Sequence, residues 1–300
     1  MGTPEFAVTS LDALVKAGCN IVGVITAPDK PGGRGMQLQQ SAVKKYAAEN
    51  NLHVLQPEKL KNPDFLNDLR SLRADLQIVV AFRMLPEVVW NMPALGSVNL
   101  HGSLLPQYRG AAPINWAVIN GEKETGVTTF KLKQEIDTGD ILLQRSFPIY
   151  DEDTVGDVHD RMKDMGAAVL LATVKGLADG SMEEKPQTIN SGQQIKHAPK
   201  IFTETCQLNF NKTTEEVYNL IRGLSPYPAA FTFLNDKKLK IYKAEKLTKI
   251  PTHAAATFDT DGKTFLQFAC IDGYITILDL QLEGKKRMAV EDFLRGYRFE

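Results

Sequence analysis

Short apolar segments alternate with helical patterns through the first third of the chain, and this alternation restricts its fold most strongly. Strands are predicted at 21–25, 53–55 and 76–82, and helices at 42–50 and 64–72. Parallel strands need crossover connections of this kind, and those crossovers are right-handed. We therefore expect an α/β fold with a Rossmann-like parallel sheet.

A change in pattern divides the chain after residue 181. A long helical pattern at 154–178 comes first, and periodicity then disappears while Pro186, Gly192 and Pro199 appear. Proline and glycine in an aperiodic stretch are typical of a linker. We expect a catalytic domain at 1–181, a linker at 182–203 and a second domain at 204–300.

The second domain reads as one helix followed by short strands. Thr213 and Glu216 have the spacing of a capping box at the start of the helix. The strands that follow are separated by turn pairs such as Asn235-Asp236 and Asp272-Gly273. Short antiparallel strands in this number predict a small β-barrel of the OB type.

The composition is that of an ordinary globular protein, with 300 residues, 43% hydrophobic, 24% charged and a net charge of -1. No apolar run approaches the roughly 20 residues of a membrane span. Cys19, Cys206 and Cys270 are scattered and lack metal-site spacing. We expect a cytoplasmic protein with no metal and no membrane partner.

Residues 97–140 bring three kinds of polar group together. Asn99, His101 and Ser103 share one face of a short strand, because strand side chains alternate. A second strand at 128–132 leads to Asp137. An amide, an imidazole and a carboxylate at neighbouring strand ends suit acyl transfer, with an oxyanion donor, a base or cation, and an orienting acid.

These motifs resemble a known family. Asn99-x-His101, the run Ser103-Leu104-Leu105-Pro106 and the run Asp137-Thr138-Gly139-Asp140 resemble the formyltransferases that use 10-formyltetrahydrofolate. Residues 108–114 and 1–7 are similar to the branch of that family that acts on initiator methionyl-tRNA, and the likeness covers nearly the whole chain. The resemblance implies transfer of a formyl group to the α-amine of methionine on that tRNA, with the folate as cosubstrate.

The resemblance also implies roles for the polar residues. Asn99 would donate to the oxyanion, His101 would be the base or a cation beside it, and Asp137 would orient His101. Asp140 competes as the acid, although it also suits a turn residue before the next strand; Asp137 is preferred because it matches the family's acid.

Substrate-binding residues follow from the same likeness. The residues Ser103, Leu104, Leu105 and Pro106 would form a wall for the folate, or else simply lead the chain out of the sheet. Arg109 is either a surface turn residue or a contact, for the tRNA or for its own loop.

Two basic regions are candidates for contacts with tRNA phosphates. The glycine-rich stretch 27–40 is either a plain surface loop or a flexible basic finger with Lys30 and Arg34. The resemblance implies that such a finger reaches the acceptor stem of the tRNA. The stretch lacks the spacing and context of a dinucleotide-binding loop, which argues against a nicotinamide oxidoreductase. Lys238 and Lys240 would share a strand face and bind phosphate, or else protect a strand edge from aggregation.

Two other functions fit part of the pattern. A related formyltransferase acting on a small amine, such as an amino sugar nucleotide, would share Asn99, His101 and Asp137. Only the 27–40 stretch and the lysines separate it from the tRNA enzyme. A tRNA-binding protein without catalysis would lack one of the three polar residues, and all three are present. We expect a monomer.

The start of the chain carries a further expectation. Residues 1–4 read as the turn after a first strand, and in the resembling family an apolar strand precedes the matching Gly-Thr-Pro. In a doubly wound sheet that strand lies centrally. We expect the chain to be short by one strand of about 6–10 residues, with an open slot between the strands at 21–25 and 76–82.

Overall fold

The computed structural model describes residues 1–32, 37–188 and 194–299. Its packing separates the chain into two compact units. The first unit comprises Met1–Arg109, Gly126–Phe147 and Asp160–Lys196; the second comprises Gly110–Thr125, Pro148–His159 and His197–Glu300.

Helices and strands alternate through the first half and strands dominate the last third. The helices are α1 Glu5–Lys16, α2 Ala42–Glu49, α3 Pro63–Ser71, α4 Glu87–Trp90, α5 Pro113–Ile119, α6 Val155–Ala178, α7 Thr214–Gly223 and α8 Val290–Gly296. The strands are β1 Val24–Ile25, β2 Lys30–Gly32, β3 Gln37–Gln39, β4 Val54–Leu55, β5 Gln77–Val80, β6 Ser97–His101, β7 Arg109–Gly110, β8 Glu124–Lys131, β9 Ile141–Pro148, β10 His197–Ala198, β11 Ala230–Leu234, β12 Lys237–Leu247, β13 Phe258–Thr260, β14 Leu266–Ala269, β15 Tyr274–Leu282 and β16 Met288–Ala289.

Parallel pairing organises the first unit. β1 pairs with β4 and β5 pairs with β6, both in parallel. β6 then pairs antiparallel with β8, and β9 completes the order β5-β6-β8-β9. Phe65, Leu69 and Val89 belong to a buried cluster behind these strands. The expected parallel α/β fold is confirmed.

A cavity of about 130 Å³ lies between β1 and β5. Its lining includes Ser10 and Leu14 of α1 together with residues of both strands. Gly2 lies at one end, where its N–H donates to the Ile25 carbonyl at 3.1 Å and it forms a parallel bridge with Val80. The expectation of a strand before Met1 stays a prediction.

The glycine-rich stretch differs from the predicted loop. β2 and β3 form an antiparallel hairpin in register Lys30↔Gln39, so its two arms are ordered strands. Helices α4 and α8 were also not predicted from the sequence. Neither stretch shows the long apolar periodicity on which a helix prediction depends.

The second unit is a helix packed on a curled antiparallel sheet. The strand order is β11-β12-β15-β14-β13, with β16 on β15, which gives an open half-barrel. Ile221, Ile241 and Ile275 are among its buried core residues. The predicted capping box at Thr213 is present, with Glu216 as its partner. The small barrel-like second domain is confirmed, although its sheet remains open.

Residues of the predicted linker make specific contacts inside the first unit. Lys185 exchanges two backbone hydrogen bonds with Ile141, at 2.7 and 2.8 Å. The Lys196 carbonyl accepts a hydrogen bond from the Tyr108 N–H at 2.6 Å. This segment therefore helps to build the first unit next to the candidate site.

Candidate active site

β6 carries the amide and the imidazole of the candidate site. Asn99 and His101 are two residues apart in this strand and lie on the same face. Asn99 is half-buried, and among the described residues its side-chain amide has no hydrogen-bond partner. The amide is therefore available to donate to a substrate oxygen.

His101 is buried, with 7% of its surface exposed, and both ring nitrogens face oxygen atoms. Nε2 lies 2.9 Å from the Tyr108 carbonyl oxygen, to which it donates. Nδ1 lies 3.8 Å from Oδ2 of Asp137, beyond a direct hydrogen bond but within reach of an ion pair or a bridging water. Because a carbonyl oxygen only accepts, Nε2 carries the proton of the first contact, and Nδ1 is the ring nitrogen that faces Asp137.

Asp137 belongs to a tight loop between β8 and β9. Its φ of 54° lies in the left-handed region, where Asp is tolerated better than most residues. At Gly139 a Cβ atom would lie 1.6 Å from the Lys131 carbonyl oxygen, so only glycine fits there. Asp140, the competing acid, instead forms an ion pair with Lys133 at 2.8 Å. Asp137 is thus the carboxylate that faces His101.

The run Ser103–Pro106 is held by a polar brace. Thr128 Oγ1 donates to the Ser103 carbonyl at 2.6 Å and accepts from the Leu105 N–H at 3.1 Å. The Ser103 hydroxyl donates to the Gln107 carbonyl at 2.6 Å. Ser103 and Leu105 are buried, whereas Leu104 and Pro106 are half-buried and retain surface for a ligand.

Arg109 is half-buried and bonded within its own unit. Its Nε and Nη2 donate to Oε1 of Gln187, at 3.1 and 2.6 Å. Sequence reasoning missed Gln187, which lies within the predicted linker and belongs to no motif. Thr128 was predicted only as a strand residue, so its brace was missed as well.

The other predicted binding residues are distributed over both units. Lys30 is exposed on β2, and Arg34 lies outside the described residues. Lys238 and Lys240 lie on one face of β12, as their alternation predicts. Nζ of Lys238 lies 4.2 Å from the centre of the Phe231 ring, a cation–π contact.

Two further features bear on the chemistry. No cluster of three or more metal-ligating His, Cys, Asp or Glu side chains occurs in the part of the chain that the structure describes. Across the same residues, no helix has the length and apolar character required to cross a bilayer.

Family models match both halves of the chain. One described as formyl transferase matches residues 1–174, and one described as formyl transferase, C-terminal domain, matches residues 200–298. Together they cover nearly the whole sequence.

Curated relatives and solved structures extend the comparison. A methionyl-tRNA formyltransferase of Parabacteroides distasonis is 57% identical over 306 residues, covering 99% of this chain and 94% of the relative. One of Bacteroides fragilis is 54% identical over 303 residues, with the same coverage. An N-formyltransferase from Helicobacter canadensis, in complex with folinic acid and dTDP-3-aminofucose, has a TM-score of 0.69 at 23% identity and covers 96% of this chain and 97% of its own. At that identity the structural likeness concerns the fold alone.

Proposed function

The chain belongs to the formyl transferase family, and from this premise we propose that it formylates the α-amine of methionyl-initiator tRNA. The donor is 10-formyltetrahydrofolate, a cosubstrate that is consumed, and the product is N-formylmethionyl-tRNA for translation initiation. Relatives named methionyl-tRNA formyltransferase at 54% and 57% identity over 99% of the chain support this substrate.

One observation carries the chemical part of the proposal. The His101 imidazole lies 3.8 Å from the Asp137 carboxylate, and the Asn99 amide shares a strand face with His101. An amide donor beside an imidazole–carboxylate pair suits a reaction that develops negative charge on a carbonyl oxygen.

The reaction balances with these groups. The α-amine nitrogen bonds to the formyl carbon, and the bond between that carbon and N10 of the folate breaks. The amine loses one proton and N10 gains one. Asn99 donates to the oxyanion, His101 accepts the amine proton or stabilises the oxyanion as a cation, and Asp137 orients His101. No metal ion takes part.

Substrate binding is proposed for the remaining residues. The folate lies against the 103–106 run, where Leu104 and Pro106 keep exposed surface. The tRNA is contacted by the β2–β3 hairpin through Lys30 and Arg34, by Arg109, and by Lys238 and Lys240. Bonding of Arg109 to Gln187 also supports a role within its own loop.

We assign these activities to domains by sequence. Residues 1–181 form the catalytic domain, 182–203 the linker and 204–300 the tRNA-binding domain. The family models at 1–174 and 200–298 support a division at this point.

The test is formyl transfer by the purified chain. Methionyl-initiator tRNA and dTDP-3-aminofucose, each with 10-formyltetrahydrofolate, are compared by kcat/KM. We expect efficient formylation of the tRNA and little transfer to the sugar. Equal or better use of the sugar amine would refute the tRNA assignment, and no transfer to either amine would refute formyl transfer.

A further inference from the structure

Gln187 bridges two parts of the candidate site. Its Nε2 donates to the carbonyl oxygens of Asp137 and Gly139, each at 2.8 Å. Its Oε1 accepts both hydrogen bonds from Arg109. The orientation of the amide is unambiguous, because a guanidinium only donates and a backbone carbonyl only accepts.

The 137–140 loop, which Gln187 contacts, has a backbone conformation that its surroundings must stabilise. Asp137 has a φ of 54°, a conformation that persists in non-glycine residues only where the surroundings enforce it. On one side the loop packs against β8, where Gly139 leaves no room for a Cβ atom. On the other side Gln187 bonds the carbonyls of the loop. The backbone of Gln187 is itself fixed by the Lys185–Ile141 pair two residues earlier.

We propose that Gln187, oriented by Arg109, is a positioning residue that sets the Asp137 carboxylate against His101. The proposal rests on the proposed function, because it concerns the residues assigned to formyl transfer. Gln187 acts through Asp137.

The distance between the acid and the imidazole makes this positioning important. Oδ2 of Asp137 lies 3.8 Å from Nδ1 of His101, too far for a direct hydrogen bond, so the interaction depends on where the loop places the carboxylate. A displacement of about 1 Å at a reacting group can lower a rate by about 100-fold. Loss of the two Gln187 donations removes a constraint on the position of the loop that carries Asp137.

Two variants separate the two halves of the bridge. Gln187→Glu keeps the oxygen that accepts from Arg109 but presents a second oxygen to the two carbonyls. Gln187→Met removes the hydrogen bonds to Arg109 and to the two carbonyls, with a side chain of similar length. Gln134→Glu, an exposed change on the same loop, is the matched control for added negative charge. The measurements are kcat, KM for each substrate and the melting temperature.

We expect both Gln187 variants to lower kcat by about 10- to 100-fold with both KM values unchanged, Gln134→Glu to behave like the parent, and the melting transition to show that each variant is folded. A parent-like kcat in Gln187→Glu would overturn the proposal. KM values that rise for both substrates would show a general structural role and would overturn it too. If the parent chain transfers no formyl group, it is the proposed function that fails.

Discussion

At the scale of single residues, the two aspartates of the 137–140 loop differ in their partners. Asp137 faces His101, whereas Asp140 pairs with Lys133. Because exposed ion pairs contribute little, replacing Asp140 should have a small effect on the protein. The same replacement at Asp137 removes the charge that faces the imidazole.

We predict that Asp137→Asn lowers kcat by about 100-fold or more, the usual range for loss of a group in acid–base catalysis. Asp140→Asn should retain nearly the parent kcat. Steady-state formylation of methionyl-tRNA by the two variants is the measurement. A larger loss in Asp140→Asn than in Asp137→Asn would show that the acid is assigned to the wrong residue.

At the scale of elements, the β2–β3 hairpin presents an exposed lysine. Phosphate contacts make affinity fall with salt, and each contact removed reduces that dependence. We predict that Lys30→Ala and Arg34→Ala raise KM for tRNA and reduce its salt dependence, while KM for the folate stays constant. KM for both substrates is measured over a salt series.

The double variant Lys238→Gln/Lys240→Gln, in the second unit, is compared with the hairpin variants. A smaller, additive rise in KM for tRNA is expected there. If this pair changes nothing, the lysines serve solubility instead. If the hairpin variants change the folate KM as well, the hairpin is not a specific tRNA contact.

The helix α7 allows a prediction about stability. The Thr213 hydroxyl accepts a hydrogen bond from the Glu216 N–H at 3.2 Å, and the Glu216 carboxylate accepts one from the Thr213 N–H at 3.1 Å. Loss of such an N-cap typically costs about 1 kcal/mol. We predict that Thr213→Ala lowers the stability of the second unit by this amount, whereas Thr213→Ser does not, as measured by urea unfolding. An equal loss in both variants would assign the effect to packing.

The elements that sequence predicted well depend on local rules. The Thr213 cap, the Asn235-Asp236 turn with φ values of 47° and 61°, and the shared face of Asn99 and His101 each depend on residues a few positions apart. Gln187 was missed because its bond to Asp137 spans 50 residues. The β2–β3 hairpin was missed because its polar arms lack apolar alternation.

At the scale of the whole molecule, the amino terminus couples stability to pH. The Met1 amino group donates to the Ile78 carbonyl at 2.6 Å, and its burial lowers its pKa from 8.0 to about 5. The unfolded chain keeps a pKa near 8 and therefore binds more protons between pH 5 and pH 8. The free energy of unfolding then rises with pH through this window. Stability from this group is complete above pH 8 and is lost as pH falls to about 5.

Met1 also lines the cavity between β1 and β5, so extending the chain at Met1 tests both the amino group and the cavity. An extension of about six residues beyond Met1 turns the buried amino group into an amide, which does not titrate. The pH dependence that this group gives to the free energy of unfolding, up to about 4 kcal/mol at 1.36 kcal/mol per pKa unit, should therefore disappear. The loss of pH dependence is expected for an extension made of Gly and Ser and equally for an apolar one made of Val and Ile. Only the apolar one should stabilise the chain further, because it can pair with the edges of β1 and β5 and bury side chains in the cavity. The free energy of unfolding of the parent and the two extended chains is measured with urea at pH 8 and pH 5. Titration of the histidines contributes equally in all three chains, so it cancels when the chains are compared. Unchanged pH dependence in the extended chains would contradict a titrating, buried Met1 amino group, and equal stability of the two extensions would show that the cavity does not accept a strand.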